Sequence, residues 1–120
     1  MFQLIVGLKH LHRINVIHRD IKPDNIVICH DGYLKLIDLG LSKQIKNFTS
    51  TIIGTSNYMS PEVVKGEPYG TSADIWSLGV LLYEILFERL PFYSNYKDLS
   101  ILDIYKRIIK GSTIFPSFYQ

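Results

Sequence analysis

The sequence predicts a mainly α-helical fold with one small β-hairpin, of the α+β type. Three stretches, near residues 4–12, 72–88 and 98–110, repeat apolar residues at the period of a helix. Between the first two, short apolar runs flank Asp31-Gly32, which is the pattern of a hairpin. With 120 residues, 47% of them hydrophobic, the chain can bury one core and has no room for a second domain.

The first helix is predicted from Leu4, Leu8 and Leu11, which recur at i, i+4 and i+7 and extend the helix to about His12. Residues 15–25 are mostly polar or charged, and Pro23 among them lacks a backbone N–H. We therefore predict a loop there, and loops are where catalytic and binding residues concentrate.

The hairpin is predicted from the apolar runs 26–29 and 34–37, because Asp31-Gly32 suits the positive φ angles of a tight turn. Beyond it, residues 42–51 are polar and show no sustained hydrophobic period. This stretch is predicted to be a mobile surface segment.

The central helix is predicted over about residues 72–88, with Ser72 as its cap. Apolar residues cover most of its faces, which is typical of a helix in the middle of a domain. A following helix over about residues 98–110 carries one apolar stripe and is ended by Gly111. The stripe consists of Ile101, Ile104, Tyr105, Ile108 and Ile109.

Composition and charge argue against several classes of function. The net charge is +2, from 13 basic and 11 acidic residues mixed along the chain, so no nucleic-acid partner is predicted. Cys29 is a lone cysteine, which fits a reducing compartment. Residues 1–8 lack the features of a signal peptide, and the apolar stretch 75–87 is too short to cross a membrane. We expect an intracellular, cytoplasmic protein without a membrane partner, and leave the nucleus open as a second location.

Five short motifs follow one another along the chain. They are HRDIKPDN at 18–25, DLG at 38–40, Gly54-Thr55, SPE at 60–62 and DIWSLG at 74–79. Their order and spacing resemble those of the eukaryotic protein kinase family, in its serine/threonine branch. The resemblance implies a partial kinase domain from the C-terminal lobe, with the N-terminal lobe and the final helices absent.

The resemblance implies three residues that act around the substrate hydroxyl. Asp20 would accept or orient its proton, for which a carboxylate on a fixed loop is suited. Lys22 would place a positive charge near the γ-phosphate, and Thr55 would lie against Asp20 and hold the loop in place. Taken singly, these residues equally fit a turn-capping aspartate, a surface lysine and a turn threonine.

The resemblance also implies that ATP and Mg²⁺ are the cofactors. Asn25 and Asp38 offer the oxygen ligands that Mg²⁺ prefers, and the hairpin between them would return both to one site. Lys22 would contact the phosphates, while Ile26, Ile28 and Leu81 match residues below the adenine. A lone Asp-x-Gly sequence would otherwise be only a turn.

Four residues match supporting positions of the family. His18 and Leu39 match an apolar stack that links the lobes of active kinases. Asp74 matches a carboxylate that receives backbone N–H groups of the catalytic loop, here residues 18–25, although it equally fits a cap of its own helix. Glu62 matches one half of an ion pair whose arginine we expect to be missing. In either interpretation we expect five of the matched residues to be core positions: His18, Ile26, Ile28, Leu39 and Leu81.

Regulation by phosphorylation is suggested by Arg19, which directly precedes Asp20. Kinases with that arrangement often need a phosphate on the activation segment, here residues 38–62. Thr51 lies three residues before Gly54, at the matching site, with Thr49 and Ser50 as alternatives. We hypothesise that Arg19, assisted by Lys43, binds phospho-Thr51. Simple solvation of three hydroxyl residues has equal weight.

The chain departs from the family by lacking the glycine-rich loop, the strand lysine and the helix glutamate that surround the phosphates. We therefore expect negligible turnover from the isolated chain. Leu39 for the usual phenylalanine and Ser60 for the usual alanine are smaller, tolerable departures.

Two hypotheses of function remain open. The first is a fragment of a working kinase that phosphorylates protein Ser or Thr hydroxyls. The second is a non-catalytic, kinase-like binding or decoy module, whose partner would be another kinase, a substrate or a protein supplying the missing lobe.

Overall fold

The computed structural model describes residues 1–92, 100–111, 113 and 115 of the chain. Within these ranges there are four α-helices and two antiparallel sheets of two strands each. The helices are α1 (Phe2–Arg13), α2 (Pro61–Val64), α3 (Ser72–Phe87) and α4 (Ile101–Lys110), and the strands are β1 (Val16–Ile17), β2 (Ile26–Ile28), β3 (Leu34–Leu36) and β4 (Lys43–Gln44). The prediction of a mainly helical fold with a small hairpin is confirmed.

Helix α1 packs its apolar stripe inward and leads directly to the predicted loop. Leu4 and Leu8 are buried on this stripe. After Arg13 the chain turns at Asn15, whose φ of 57° lies in the left-handed region that asparagine tolerates better than most residues. The turn allows the next two residues to form β1.

The predicted hairpin consists of β2 and β3, with Ile26 opposite Leu36 and Ile28 opposite Leu34. Its turn is closed by a hydrogen bond from Gly32 N to Cys29 O, and Gly32 has a φ of 80°. Leu34 N donates to Gln3 Oε1 of α1 at 2.6 Å, so β3 lies beside the first helix. The hairpin is therefore anchored to α1 by its second strand.

The prediction of a mobile surface segment over residues 42–51 is wrong in part. Lys43 and Gln44 form β4, which pairs with β1. Farther along, Thr49 and Tyr69 exchange two backbone hydrogen bonds, of 3.0 and 2.8 Å. Two-residue pairings of this kind are too short to leave a hydrophobic period, which is why the sequence did not reveal them.

Helix α3 occupies the middle of the molecule, at the range expected for it to within one residue. It buries seven residues: Ala73, Asp74, Ser77, Leu78, Val80, Leu81 and Tyr83. Its N-cap is Thr71 instead of the predicted Ser72, and no side chain caps it. Against the described residues one apolar face, including Leu82, Ile85 and Leu86, stays exposed, so the helix is not covered on all sides.

Helix α4 is amphipathic and has capping interactions at both ends. The Ser100 hydroxyl accepts a hydrogen bond from Asp103 N at 3.2 Å, and Gly111 ends the helix as predicted. Ile104 and Ile108 are buried, whereas Ile101 and Ile109 of the predicted stripe are exposed. The predicted start at residue 98 lies outside the described residues.

Two hydrophobic clusters hold these elements together. The larger joins α1, α3 and α4 through residues such as Leu8, Leu81 and Ile108. The smaller joins the end of the activation segment to its neighbours through residues such as Ile17, Met59 and Tyr69. In the part of the chain that the structure describes, no helix has the length and apolarity needed to cross a membrane.

Candidate active site

The loop at residues 18–25 is fixed from below by Asp74 of α3. The Asp74 carboxylate is fully buried and accepts the backbone N–H groups of His18 and Arg19, each at 2.9 Å. His12 Nε2 of α1 donates to the same carboxylate at 2.8 Å. Asp74 therefore binds the loop and does not cap its own helix. These bonds hold Arg19 at a φ of 69°, a left-handed conformation that is costly for a residue with a side chain.

His18 is a buried link between this loop and the hairpin. Its Nδ1 accepts the N–H of Asp20 at 3.3 Å, and its Nε2 lies 3.2 Å from the carbonyl oxygen of Ile37. One nitrogen accepts and the other faces an acceptor, so the hydrogen-bond pattern assigns the neutral tautomer with the proton on Nε2. The imidazole thereby fixes where the hairpin ends relative to Asp20.

Asp20 lies at the centre of a polar network. Its Oδ1 accepts from the Thr55 hydroxyl at 2.7 Å and from Thr55 N at 3.1 Å. Its Oδ2 accepts from Asn25 Nδ2 at 2.9 Å and lies 3.2 Å from Lys22 Nζ. Burial raises the pKa of Asp20, but hydrogen bonds from Thr55, Lys22 and Asn25 and the Lys22 charge outweigh it, so the pKa lies below its ordinary value of 3.8.

The activation segment reaches this network through Gly54 and Thr55. Gly54 has a φ of 115°, and a side chain there would place its Cβ only 2.5 Å from the carbonyl oxygen of Arg19. Only glycine permits so close an approach of the two backbones. The approach brings Thr55 to Asp20 and to Lys22, whose Nζ donates to Thr55 Oγ1 at 3.0 Å.

Asn25 and Asp38 are brought together by the hairpin that separates them. Ile37 N, one residue before Asp38, donates to Asn25 O at 2.9 Å. Asn25 directs its amide nitrogen to Asp20, with a second bond to the Asp20 carbonyl at 2.8 Å, which turns its amide oxygen the other way. Asp38 is exposed, has a φ of 60° and accepts from Gly40 N at 3.0 Å.

These two oxygen ligands suit Mg²⁺ better than they suit a metal ion whose ligands all come from the protein. Among the described residues no group of three or more His, Cys, Asp or Glu side chains could hold a metal ion. Mg²⁺ typically binds one or two protein oxygens and completes its octahedron with water and substrate phosphates. A carboxylate with an amide oxygen satisfies that requirement.

The hydrophobic positions expected around the adenine and in the apolar stack differ in burial. His18 and Leu81 are buried, and Ile26 packs against the larger core cluster. Ile28 is 75% exposed and Leu39 is 55% exposed, so the expectation that both are core positions is wrong for the described residues. Ile28 lies on β2, the hairpin strand farther from α1, and Leu39 follows the end of the hairpin.

The predicted regulatory residues lie on the activation segment or, in the case of Arg19, beside its start. Arg19 Nε donates to Leu41 O at 2.6 Å, which ties the loop to the start of that segment. Lys43 Nζ donates to Thr49 Oγ1 at 3.0 Å, and Thr51 Oγ1 lies 3.4 Å from the same Thr49 oxygen. Thr51 is exposed, whereas Thr49 is buried. Lys43 is thus bonded to the Thr49 hydroxyl, which also contacts the Thr51 hydroxyl.

Sequence reasoning missed a second set of supports below Thr55. Ser77 of α3 donates to Tyr58 O at 2.7 Å, and the Tyr58 hydroxyl donates to Glu84 Oε2 at 2.5 Å. Burial raises the pKa of Tyr58, and the hydrogen bond and negative charge of Glu84 raise it further. A carboxylate inside the most apolar stretch was a usable signal for a buried partner. No comparable signal in the sequence identified His12 as a partner of Asp74.

Taken together, the supported loop, the hairpin and the activation segment define a kinase-like fold. A family model described as "Protein kinase domain" matches residues 1–117. The chain is 41% identical to a cGMP-dependent protein kinase of Plasmodium berghei over 115 residues, which are 96% of this chain and 13% of the relative. It is 40% identical to a cGMP-dependent protein kinase of Eimeria tenella, covering 96% of this chain and 11% of the relative. It is also 38% identical to the cAMP-dependent protein kinase type 3 of Saccharomyces cerevisiae, covering 98% of this chain and 29% of the relative.

The chain therefore belongs to the protein kinase family, which confirms the enzyme family predicted from the motifs. It spans between about a tenth and a third of the length of these relatives.

Proposed function

We propose that the chain is the C-terminal-lobe part of a serine/threonine protein kinase, which transfers the γ-phosphoryl group of ATP to Ser or Thr hydroxyls of a protein substrate. The observation that carries this proposal is the Asp20 carboxylate, held by Thr55, Asn25 and Lys22 beside the end of the hairpin. The named activities of the cyclic-nucleotide-dependent relatives support the same class of reaction.

Asp20 is the group that receives the substrate hydroxyl. Its lowered pKa keeps it ionised near neutral pH, so it is an acceptor throughout. A carboxylate that is weakly basic orients the hydroxyl first and takes the proton only as the oxygen bonds to phosphorus. Four bonds to neighbouring groups hold the carboxylate in position and reduce the reorganisation needed during transfer.

Lys22, Asn25 and Asp38 act on the negative charge of the ATP phosphates, Lys22 directly and the other two through the metal ion. Lys22 Nζ, within 3.2 Å of both Asp20 and Thr55, is placed to neutralise phosphoryl oxygens. Asn25 and Asp38 would hold Mg²⁺, which when bound neutralises charge on the β- and γ-phosphates. Ile26 and Ile28 would contact the adenine.

The test is a segment exchange that supplies the rest of a kinase domain. This chain replaces the matching segment of the yeast cAMP-dependent protein kinase type 3, with which it aligns over 118 residues. We expect the exchanged kinase to transfer ³²P from Mg-ATP to a serine peptide. Exchange of a segment carrying Asp38→Ala should lower kcat at least about 100-fold, because a charged ligand of the metal is lost.

Two outcomes would contradict the proposal. One is a soluble, cooperatively melting exchanged kinase without activity, which would favour the non-catalytic binding module. The other is equal activity with and without Asp38→Ala, which would point to a contaminating kinase.

We propose in addition that phosphorylation of Thr51 activates the enzyme through Lys43 and Arg19. The Lys43 ammonium is bonded to the Thr49 hydroxyl, which in turn contacts the Thr51 hydroxyl. It is therefore close enough to pair with a phosphate on Thr51. Thr51→Ala should lower kcat/KM of the phosphorylated kinase about tenfold, the effect of losing one charge-assisted hydrogen bond. Ser50→Ala is the matched control. Unchanged activity in Thr51→Ala would refute this regulation.

A further inference from the structure

Ser60, the residue before α2, has a buried hydroxyl without a bonding partner. The residue is 1% exposed, and among the described residues its Oγ makes no hydrogen bond. The family resemblance expects alanine here, so the hydroxyl is a feature of this chain. A buried hydroxyl without a partner loses its bonds to water on folding, at a cost comparable to a full hydrogen bond.

A small cavity lies beside this hydroxyl. It leaves about 10 Å³ for the centre of a water molecule. Its walls come from the activation segment, the catalytic loop and α3, and include Ser60, Arg19 and Ser77. Arg19 Nη1 is a second buried polar atom that lacks a partner within the described ranges.

We infer that this cavity binds one structural water molecule, which bridges Ser60 to Arg19. About 10–15 Å³ of such space is enough for one water, and a buried water needs two to four polar partners. The volume is too small for a phosphate or sulfate ion. Two unpartnered polar atoms on residues that line one water-sized cavity meet both requirements.

One water can give each of the two unpartnered atoms a hydrogen-bond partner. The Arg19 guanidinium has only donors, so it donates to the water oxygen. The water then donates one hydrogen to Ser60 Oγ. The second hydrogen would face Ser77 Oγ, which keeps lone pairs because its own hydrogen is directed at the carbonyl oxygens of Tyr58 and Ala73. The water would thus join Ser60, which precedes α2, to Arg19, which precedes Asp20.

The sign of a stability change tests this inference. If water bridges the site, Ser60→Ala removes a satisfied hydrogen bond and should raise the unfolding equilibrium constant about fivefold in urea. If the hydroxyl is truly unsatisfied, Ser60→Ala relieves a penalty and lowers the constant, which would overturn the inference. Ser77→Ala is the control, because it loses a direct bond to Tyr58 O and should raise the constant in either case.

A structure that resolves ordered water tests the inference independently of the stability measurement. We expect density for one water within hydrogen-bond distance of Ser60 Oγ and an Arg19 nitrogen in the unmodified protein. A Ser60 hydroxyl bonded directly to a protein group, or a cavity without density, would overturn the inference even if the Ser60 variant failed to fold.

Discussion

Asp20→Asn is expected to lower kcat about 10²–10⁴-fold in the segment-exchanged kinase, the range for loss of a positioned acid or base group. Asparagine keeps the size of the side chain but replaces one carboxylate oxygen with an amide nitrogen. It would face the donors of Asn25, Lys22 and Thr55 with one acceptor fewer, and it cannot take a proton from the substrate. KM for ATP should change little, because the proposed role of Asp20 is to act on the substrate hydroxyl.

The matched control for this variant is Asp24→Asn. Asp24 is an exposed carboxylate in the same loop, and we expect its variant to keep kcat within about twofold. Equal kcat values for the Asp20 and Asp24 variants, measured by steady-state transfer to a serine peptide, would remove Asp20 from the reaction.

The lowered pKa of Asp20 also predicts the acidic side of the pH profile. In the proposed mechanism, activity needs the ionised carboxylate and is lost as pH falls through its pKa in the folded protein. Because that pKa lies below 3.8, Asp20 should not limit activity at mildly acidic pH. Thr55→Ala removes a hydrogen bond that lowers the pKa, so the acidic limb in that variant should move to higher pH, with Thr55→Ser restoring it.

The sequence predicted what short motifs and periodic patterns encode. The hairpin follows from two apolar runs around Asp31-Gly32, and α3 follows from its apolar spacing, so both lie where expected. The closeness of Asp20, Lys22, Asn25 and Thr55 came from resemblance to a family and not from any pattern in the residues. Spacing alone does not show that residues 35 positions apart, such as Asp20 and Thr55, form a 2.7 Å bond.

What the sequence could not predict depends on the tertiary arrangement. β4 forms only because the turn at Asn15 sets β1 beside it, and two residues leave no periodic trace. The inward direction of Ser60 and the contact of His12 with Asp74 depend on which helix faces pack together. The exposure of Ile28 follows from which hairpin strand lies next to α1, which an alternating pattern does not specify.

Asp74→Ala should cause the largest loss of stability, about 3–5 kcal/mol in the free energy of unfolding. Asp74 is fully buried, and its removal would leave the N–H groups of His18 and Arg19 without their acceptor and His12 without its partner. Each unsatisfied buried N–H costs about 1–3 kcal/mol. Arg19 would also lose the bond that holds its left-handed conformation, so the catalytic loop should relax.

Urea unfolding measures the loss, and amide hydrogen exchange shows where it occurs. The exchange of the His18 and Arg19 amides should accelerate more than that of the α4 core, because the broken bonds are local. Glu67→Gln is the control, since Glu67 is an exposed carboxylate 3.8 Å from Lys65, and its change should stay within about 1 kcal/mol. If Asp74→Ala and Glu67→Gln lose equal stability, or if the two amides keep their protection, then Asp74 does not support the loop. The geometry of Asp20 would then depend on its bonds to Thr55, Asn25, Lys22 and His18.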